Sequence, residues 1–296
     1  MADQRAPAVR RRRLAAELRR LRTVAGLTLE QAAAKLGDGW SCSKLSRVET
    51  ARLGISQSGL RQLLDLYGVA EDRRAPLLRL TRKPRSRGWW DAYSGSLPGD
   101  YASYIELESE AAALHCFDAV TVHGLLQTEE YARAIIRAGL MTLSPPAETE
   151  RRVDVRMTRQ RLLTRPDCPL RLRAVIHEAA LRCQVGSPAV MRAQCARLLE
   201  LAGLPTVELQ VLPNAAGAHP ATAGTFSILE FPEPHDPAVA YVETMTGNLF
   251  VDKDAEVYRY TLAFDRLCAM ALGRAESAAF IARLAGQLPD VQTPIA

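Results

Sequence analysis

The sequence lacks most of the marks of membrane-bound or catalytic chains. No apolar run approaches the roughly 20 residues that a bilayer-spanning helix needs, so no membrane anchor is expected. Met1 to Arg13 carries charge without an apolar stretch behind it. That argues against a secretory signal and for a cytoplasmic protein. Six cysteines, at positions 42, 116, 168, 183, 195 and 268, form no C-x-x-C pair and none stands at zinc-finger spacing to a histidine. They read as reduced thiols packed as small apolar groups, with neither a disulfide framework nor a structural metal. There is no Walker loop, no G-x-G-x-x-G after a strand and no G-x-S-x-G elbow. His177-Glu178-Ala179-Ala180-Leu181 begins like the H-E-x-x-H of zinc proteases. Leu181 replaces the second histidine, so two imidazoles cannot share one helix face around zinc. No enzyme, cofactor or metal site is expected.

Lysine is scarce as well. It occurs only as Lys35, Lys44, Lys83 and Lys253, so the basic residues are almost all arginine. What is present is an ordinary globular composition, 48% hydrophobic and 24% charged over 296 residues. That length suits one large domain or two of typical size. The net charge of +5 is unevenly spread. Residues 1–90 hold 20 Lys+Arg against 8 Asp+Glu, a net of +12, and residues 91–296 hold 18 against 25, a net of −7. A chain divided in this way has two parts with different partners, and the basic part suits a polyanion.

The basic part reads as five short helices. Leu14, Leu18, Leu21 and Val24 recur at helical spacing before Gly26. Thr28-Leu29-Glu30-Gln31 fits a capping box for a second helix, which Gly37 closes. Asp38-Gly39-Trp40 makes a turn, and Ser41 caps a third helix that faces inward through Leu45 and Val48. Ser56 opens a fourth helix carrying Leu60, Leu63, Leu64 and Tyr67, and Asp72 to Leu80 reads as a fifth. The second and third helices across a short turn make a helix-turn-helix, whose second member enters the major groove by its N-terminal end. Ser43, Lys44 and Arg47 lie on its outer side as candidate base contacts; Lys44 and Arg47 suit guanine acceptors. Thr28, Ser41 and Arg52 are candidate phosphate contacts.

The predicted boundaries are a DNA-binding domain over 1–81, a basic linker over 82–88, an α+β domain over 89–288 and a frayed tail over 289–296. In the second domain, helices are predicted over Tyr101 to Leu114, from Thr128 to Ala138, and from Pro146 to Leu163. Two more close the chain near Glu256–Leu272 and Glu276–Leu288. About five strands are predicted: Leu170–His177, Val207–Leu212, Thr225–Phe231, Ala238–Glu243 and Leu249–Asp252.

Leu27-Thr28-Leu29-Glu30-Gln31-Ala32-Ala33, followed by Leu45-Ser46-Arg47-Val48-Glu49, resembles the lambda/Cro-repressor type of helix-turn-helix, the XRE family. The resemblance covers residues 10–80. It implies a five-helix domain that binds a palindromic operator as a homodimer. It places Ser43, Lys44 and Arg47 at base-reading positions, and Ser41 and Arg52 at phosphate positions. Ala51 stands where that family usually has Gly. Residues 88–285 resemble the C-terminal domain of actinobacterial antitoxin-like and WhiJ-like regulators. The block Gly124-Leu125-Leu126-Gln127-Thr128-Glu129-Glu130-Tyr131-Ala132-Arg133 is the most specific part of that match, with His123 where the family usually has Pro and His177 where it often has Asp. This resemblance implies a transcription factor modulated by a small companion protein encoded nearby or by a small-molecule effector.

Candidate partner or ligand residues in the second domain are Trp89, Trp90, Glu106, His123, Gln127, Tyr131, His177 and His219. Six of these have a plain reading as well: Trp89 and Trp90 as docking anchors, Glu106 on a solvated helix face, and His123, His177 and His219 as packed or surface residues. The expected function is sequence-specific transcriptional regulation on double-stranded DNA. The alternative is an antitoxin-like module that sequesters a small protein and autoregulates its operon.

Overall fold

A computed structural model describes residues 5–81, 99–140, 145–232, 236–245 and 247–289. The linker at 82–88, Trp89 and Trp90, and the tail from residue 290 lie outside the described residues.

Five helices make the N-terminal part: α1 (Arg5–Val24), α2 (Leu29–Leu36), α3 (Cys42–Glu49), α4 (Gln57–Leu66) and α5 (Glu71–Thr81). Their apolar stripes meet in one core that includes Leu14, Leu18, Ala32, Leu45, Val48, Leu60, Leu63 and Leu64. Local chemistry sets the ends. Thr28 and Gln31 form a reciprocal capping box on α2, and the side chains of Ser41 and Ser56 cap α3 and α4.

The rest is an α+β domain around one mixed sheet. Its elements are α6 (Gly99–Glu110), β1 (Ala113–Asp118), α7 (Glu129–Gly139), α8 (Pro146–Arg159), β2 (Arg171–His177), α9 (Glu178–Arg182), α10 (Pro188–Ala202), β3 (Val207–Leu212), β4 (Phe226–Glu230), β5 (Val239–Thr244), β6 (Gly247–Val251), α11 (Asp254–Met270) and α12 (Arg274–Gln287). The strand order is β3-β2-β1-β4-β5-β6. β1, β2 and β3 run parallel, whereas β4, β5 and β6 pair antiparallel. The chain therefore changes from crossover to hairpin wiring where β1 meets β4.

Pleating sends alternate residues of β1 to opposite layers. Leu114 and Cys116 join a core with Ile176, Leu198 and Ile281. Phe117 joins a second core with Val175, Phe264 and Leu267 of α11. Helices thus cover both faces of the sheet.

Two expectations need correction. The sheet has six strands rather than about five, and the helix expected over Tyr101 to Leu114 ends at Glu110. Ala113–Asp118 is the strand at the middle of the sheet. Buried on both sides, it carries no polar alternation to mark it. The strand expected over Leu170–His177 does end at His177, and the chain turns at once into the short helix α9. α10 had no prediction, although Ser187 caps it and Pro188 opens it in the favoured arrangement.

A buried arginine helps to join the two parts. Arg13 of α1 is buried, bonds Asp236 at 2.5 Å and Glu110 at 3.3 Å, and stacks 3.5 Å above the Phe231 ring.

Candidate functional site

The helix expected to face DNA is α3, and its placement is over-determined. Leu45 and Val48 anchor it to the core. Glu49, at its C-terminal end, is buried and receives a forked pair from Arg22 at 2.8 Å and 3.0 Å. Arg22 also donates to the Leu27 carbonyl at 2.6 Å, so one guanidinium ties α1, the approach to α2 and the end of α3 together. The Glu49 carboxylate holds the Arg22 pKa above its ordinary value. Sequence reasoning quoted Glu49 only as part of a motif and gave it no role. The lock was hidden because its partner lies 27 positions away.

The side chains assigned to DNA divide into two sets. Ser43, Arg47 and Arg52 are exposed around the outer side of α3 and its exit. Thr28 and Ser41 are exposed too, but each hydroxyl accepts a backbone hydrogen bond as a helix cap, at 3.2 Å and 3.1 Å. Each cap satisfies one free amide in the first turn of its helix. Lys44 is drawn back instead. Its ammonium donates to the Gly39 carbonyl at 2.5 Å and lies 4.6 Å from the Trp40 ring. Trp40 is held in turn by Gln62, at 2.9 Å. Lys44 therefore fastens the turn to α3, whereas the candidate base contact Arg47 is exposed.

The exit from α3 is strained. Ala51 has φ +58°, the left-handed region that favours glycine. Two amides, from Arg52 and Leu53, close on the Arg47 carbonyl at 2.8 Å and 2.9 Å and hold the chain there.

The second site lies where β1 meets β4. A cavity of about 250 Å³ opens beyond the C-terminal end of β1 and the start of β4. It lies outside the carboxyl end of β1, the side on which the parallel strands of open α/β sheets hold ligands. Tyr104, Tyr241 and Phe226 supply aromatic wall; Asp118, His123, Gln127 and Arg156 supply polar groups. The block centred on Gly124 builds one side. Gly124–Leu126 is a single 3-10 turn, and His123 Nδ1 accepts the Leu125 amide at 3.3 Å. Gln127 donates to the Val122 carbonyl at 2.6 Å and accepts from Arg156 at 2.9 Å. Gln160 and Gln194 donate to the Gly124, Gln127 and Leu126 carbonyls, and the Tyr131 hydroxyl accepts the Val122 amide. Burial pushes the Tyr131 phenol up to about 12, so it stays neutral.

Beneath the cavity, Arg159 and Glu108 form a fully buried pair with both contacts at 2.7 Å. The cavity's own groups are tuned by burial. It pushes the Asp118 carboxyl up to about 8, against weaker help to the charged form from Cys116 and the His123 amide. The same desolvation lowers His123 to about 4, so its ring is neutral. Its Nδ1 accepts a hydrogen bond, which places the ring proton on Nε2. Arg156 Nε and the Tyr241 hydroxyl are buried without hydrogen-bond partners. The Tyr104 hydroxyl has no partner of normal geometry either, although Glu108 nearby raises the pKa of that phenol further. Leaving such groups unsatisfied costs about 1–3 kcal/mol each.

Of the partner candidates, the structure brings His123 and Gln127 to this cavity, with Tyr131 bracing it from behind. His177 and His219 meet at the C-terminal end of β2, the same end of the sheet as the cavity but outside its lining, with ring centroids 5.5 Å apart beside Phe117. Glu106 stands apart from both groups. On the same helix it is Glu108 that pairs with Arg159 and Glu110 that pairs with Arg13. Asp118, Arg156 and Tyr241 were missed. Their signal is positional, and it appears only once β1 is recognised as a strand. Among the described residues no group of three or more His, Cys, Asp or Glu side chains could hold a metal ion, and no helix is long and apolar enough to cross a membrane.

Comparison with known proteins finds two family models. A helix-turn-helix domain model matches residues 13–77, inside the stretch whose motifs had suggested one. A second model, described as a domain of unknown function (DUF5753), matches residues 101–283. No curated protein and no solved structure matches. The chain carries an N-terminal helix-turn-helix DNA-binding domain, and through the larger, C-terminal part it belongs to the DUF5753 family.

Proposed function

We propose that this protein is a transcriptional regulator that binds operator DNA as a homodimer, with the DUF5753 domain receiving the regulatory signal. The observation that carries the reading is α3. It is locked by Leu45, Val48 and the Arg22–Glu49 pair, while Ser43, Arg47 and Arg52 stay exposed. A rigid helix with an open polar face is what insertion into a major groove requires. The contact with the C-terminal domain through Arg13 comes from α1 and leaves that face open.

Dimerisation belongs to the C-terminal domain on this reading. Tyr258 and Leu262, one turn apart on α11, expose apolar side chains that suit a second copy. On this reading the chain is a binding protein rather than an enzyme, and Asp118 and His123 serve as binding groups of the cavity. A basic companion protein is the second candidate signal, favoured by the net charge of −7 over residues 91–296.

The test is genome-wide mapping of bound DNA, followed by titration of a recovered site with the purified protein. Binding that saturates at a shared two-fold motif and weakens steeply with salt supports the reading. About six to ten phosphate contacts would lower affinity about 10³–10⁵-fold between 50 and 200 mM salt. Binding without a shared motif would refute it.

A further inference from the structure

The cavity between β1 and β4 is selective in the kind of polar group it presents. Arg156 lines it and forms no ion pair within 4 Å among the described residues; its one hydrogen-bond partner is the neutral Gln127. His123 offers Nε2–H, because its Nδ1 is occupied. Tyr104 and Tyr241 offer hydroxyls, and the protonated Asp118 can donate as well. Donors therefore dominate, with one positive charge that no ion pair within 4 Å engages among the described residues. Gln127 has both polar atoms engaged within the protein. Only Glu243, exposed, adds a full negative charge to the lining, because Glu108 and Arg159 neutralise each other below.

A surplus of buried donors calls for an acceptor-only group, and a carboxylate is the planar anion that an arginine fork matches. The apolar wall limits what can be attached to it. Tyr104 and Tyr241 stack with centroids 4.1 Å apart, and Phe226 lies at the start of the neighbouring strand. A volume of about 250 Å³ is just under the ~300 Å³ at which drug-sized pockets begin. It admits one or two rings and no nucleotide.

We propose that this cavity binds a small aromatic carboxylic acid, with its carboxylate on Arg156 and His123 and its ring against Tyr104, Tyr241 and Phe226. The role as an effector rests on the regulatory reading above; the binding itself does not.

The test uses the full chain with benzoate and indole-3-acetate as probes, each beside its neutral amide, in calorimetric titrations at pH 7. The acids are expected to bind about tenfold or more tightly than the amides, since one charge-assisted contact is worth at least that factor. Arg156→Met, which keeps the length and removes the charge, is expected to erase this preference while circular dichroism stays unchanged. The comparison of acid with amide on the unmodified chain does not depend on that variant's folding. Amides that bind as well as the acids, no binding by either acid, or a preference that survives Arg156→Met would each overturn the assignment. The same probes are then added to the protein–operator complex. Acid binding that leaves operator affinity unchanged would refute the regulatory role and leave the ligand class standing.

Discussion

At the scale of single residues, α3 divides its cations by what holds them. Lys44 is engaged with Gly39 and Trp40, whereas Arg47 and Arg52 are exposed. Arg52 stands beyond the helix, where a phosphate contact would carry no sequence information. Arg52→Ala is therefore expected to weaken binding to all sequences alike, with a shallower salt dependence in anisotropy titrations. Ala51 gives a stability prediction. An L side chain at φ +58° costs about 1–2 kcal/mol relative to glycine. Glycine gives part of that back through a more flexible unfolded chain. Ala51→Gly should raise the stability of the helix-turn-helix domain by about 0.5–1 kcal/mol in urea unfolding, with operator affinity unchanged. A destabilised variant would show that Ala51 makes packing contacts that outweigh its strain.

At the scale of elements, β1 governs the chemistry of the C-terminal domain, because its end delivers Asp118 to the cavity. Asp118, at about 8 in the fold against 3.8, keeps a proton that the unfolded chain releases. Its contribution is fully present below pH 3.8 and is lost as pH rises toward 8. His123, at about 4 against 6.5, acts in the opposite sense: stability is lost as pH falls from 6.5 toward 4. Between about pH 4 and 6.5 the two nearly cancel. From about 6.5 to 8 Asp118 acts alone, at up to about 1.4 kcal/mol per pH unit. Stability of this domain is expected to fall over that upper window in denaturant titrations. Asp118→Asn should remove the fall and leave a loss below pH 6.5. A variant with the same profile as the parent would show that Asp118 is ionised in the fold.

The elements that the sequence revealed most clearly are those whose ends carry chemistry. Thr28, Gln31, Ser41 and Ser56 cap where their residue types predict, and the N-terminal core follows the helical spacing of its leucines. β1 was illegible for a physical reason. It follows α6 after only two residues, with no proline or glycine between, and both its faces are buried. The cavity was half legible. His123 and Gln127 stand in a block already conspicuous as a motif. Arg156, Asp118 and Tyr241 converge on it only through the strand order and the packing of α8.

At the scale of the whole molecule, a basic module and an acidic one are joined by a buried cation. Arg13 lies between Glu110 and Asp236 against Phe231. Glu110 ends the helix that brings Tyr101, Tyr104 and Glu108 to the cavity. The cavity and the helix-turn-helix are thus connected through α6. Removing one member of a buried pair costs about 3–5 kcal/mol, because its partner charges remain. Arg13→Ala should therefore loosen this contact, seen as faster amide exchange at the C-terminal end of α6 and in the middle of α1. Exchange unchanged at both places would show that Arg13 does not hold the two parts together.

The central claim is that α3 reads DNA through Arg47. Selection of binding sites from random duplex DNA, with the parent chain and Arg47→Ala in parallel, tests it most directly. The parent should enrich a two-fold motif. Arg47→Ala should bind that motif more weakly by about 1–3 kcal/mol and lose preference at one base position in each half-site, leaving the others intact. An identical motif from both proteins, or no motif from the parent, would contradict the claim.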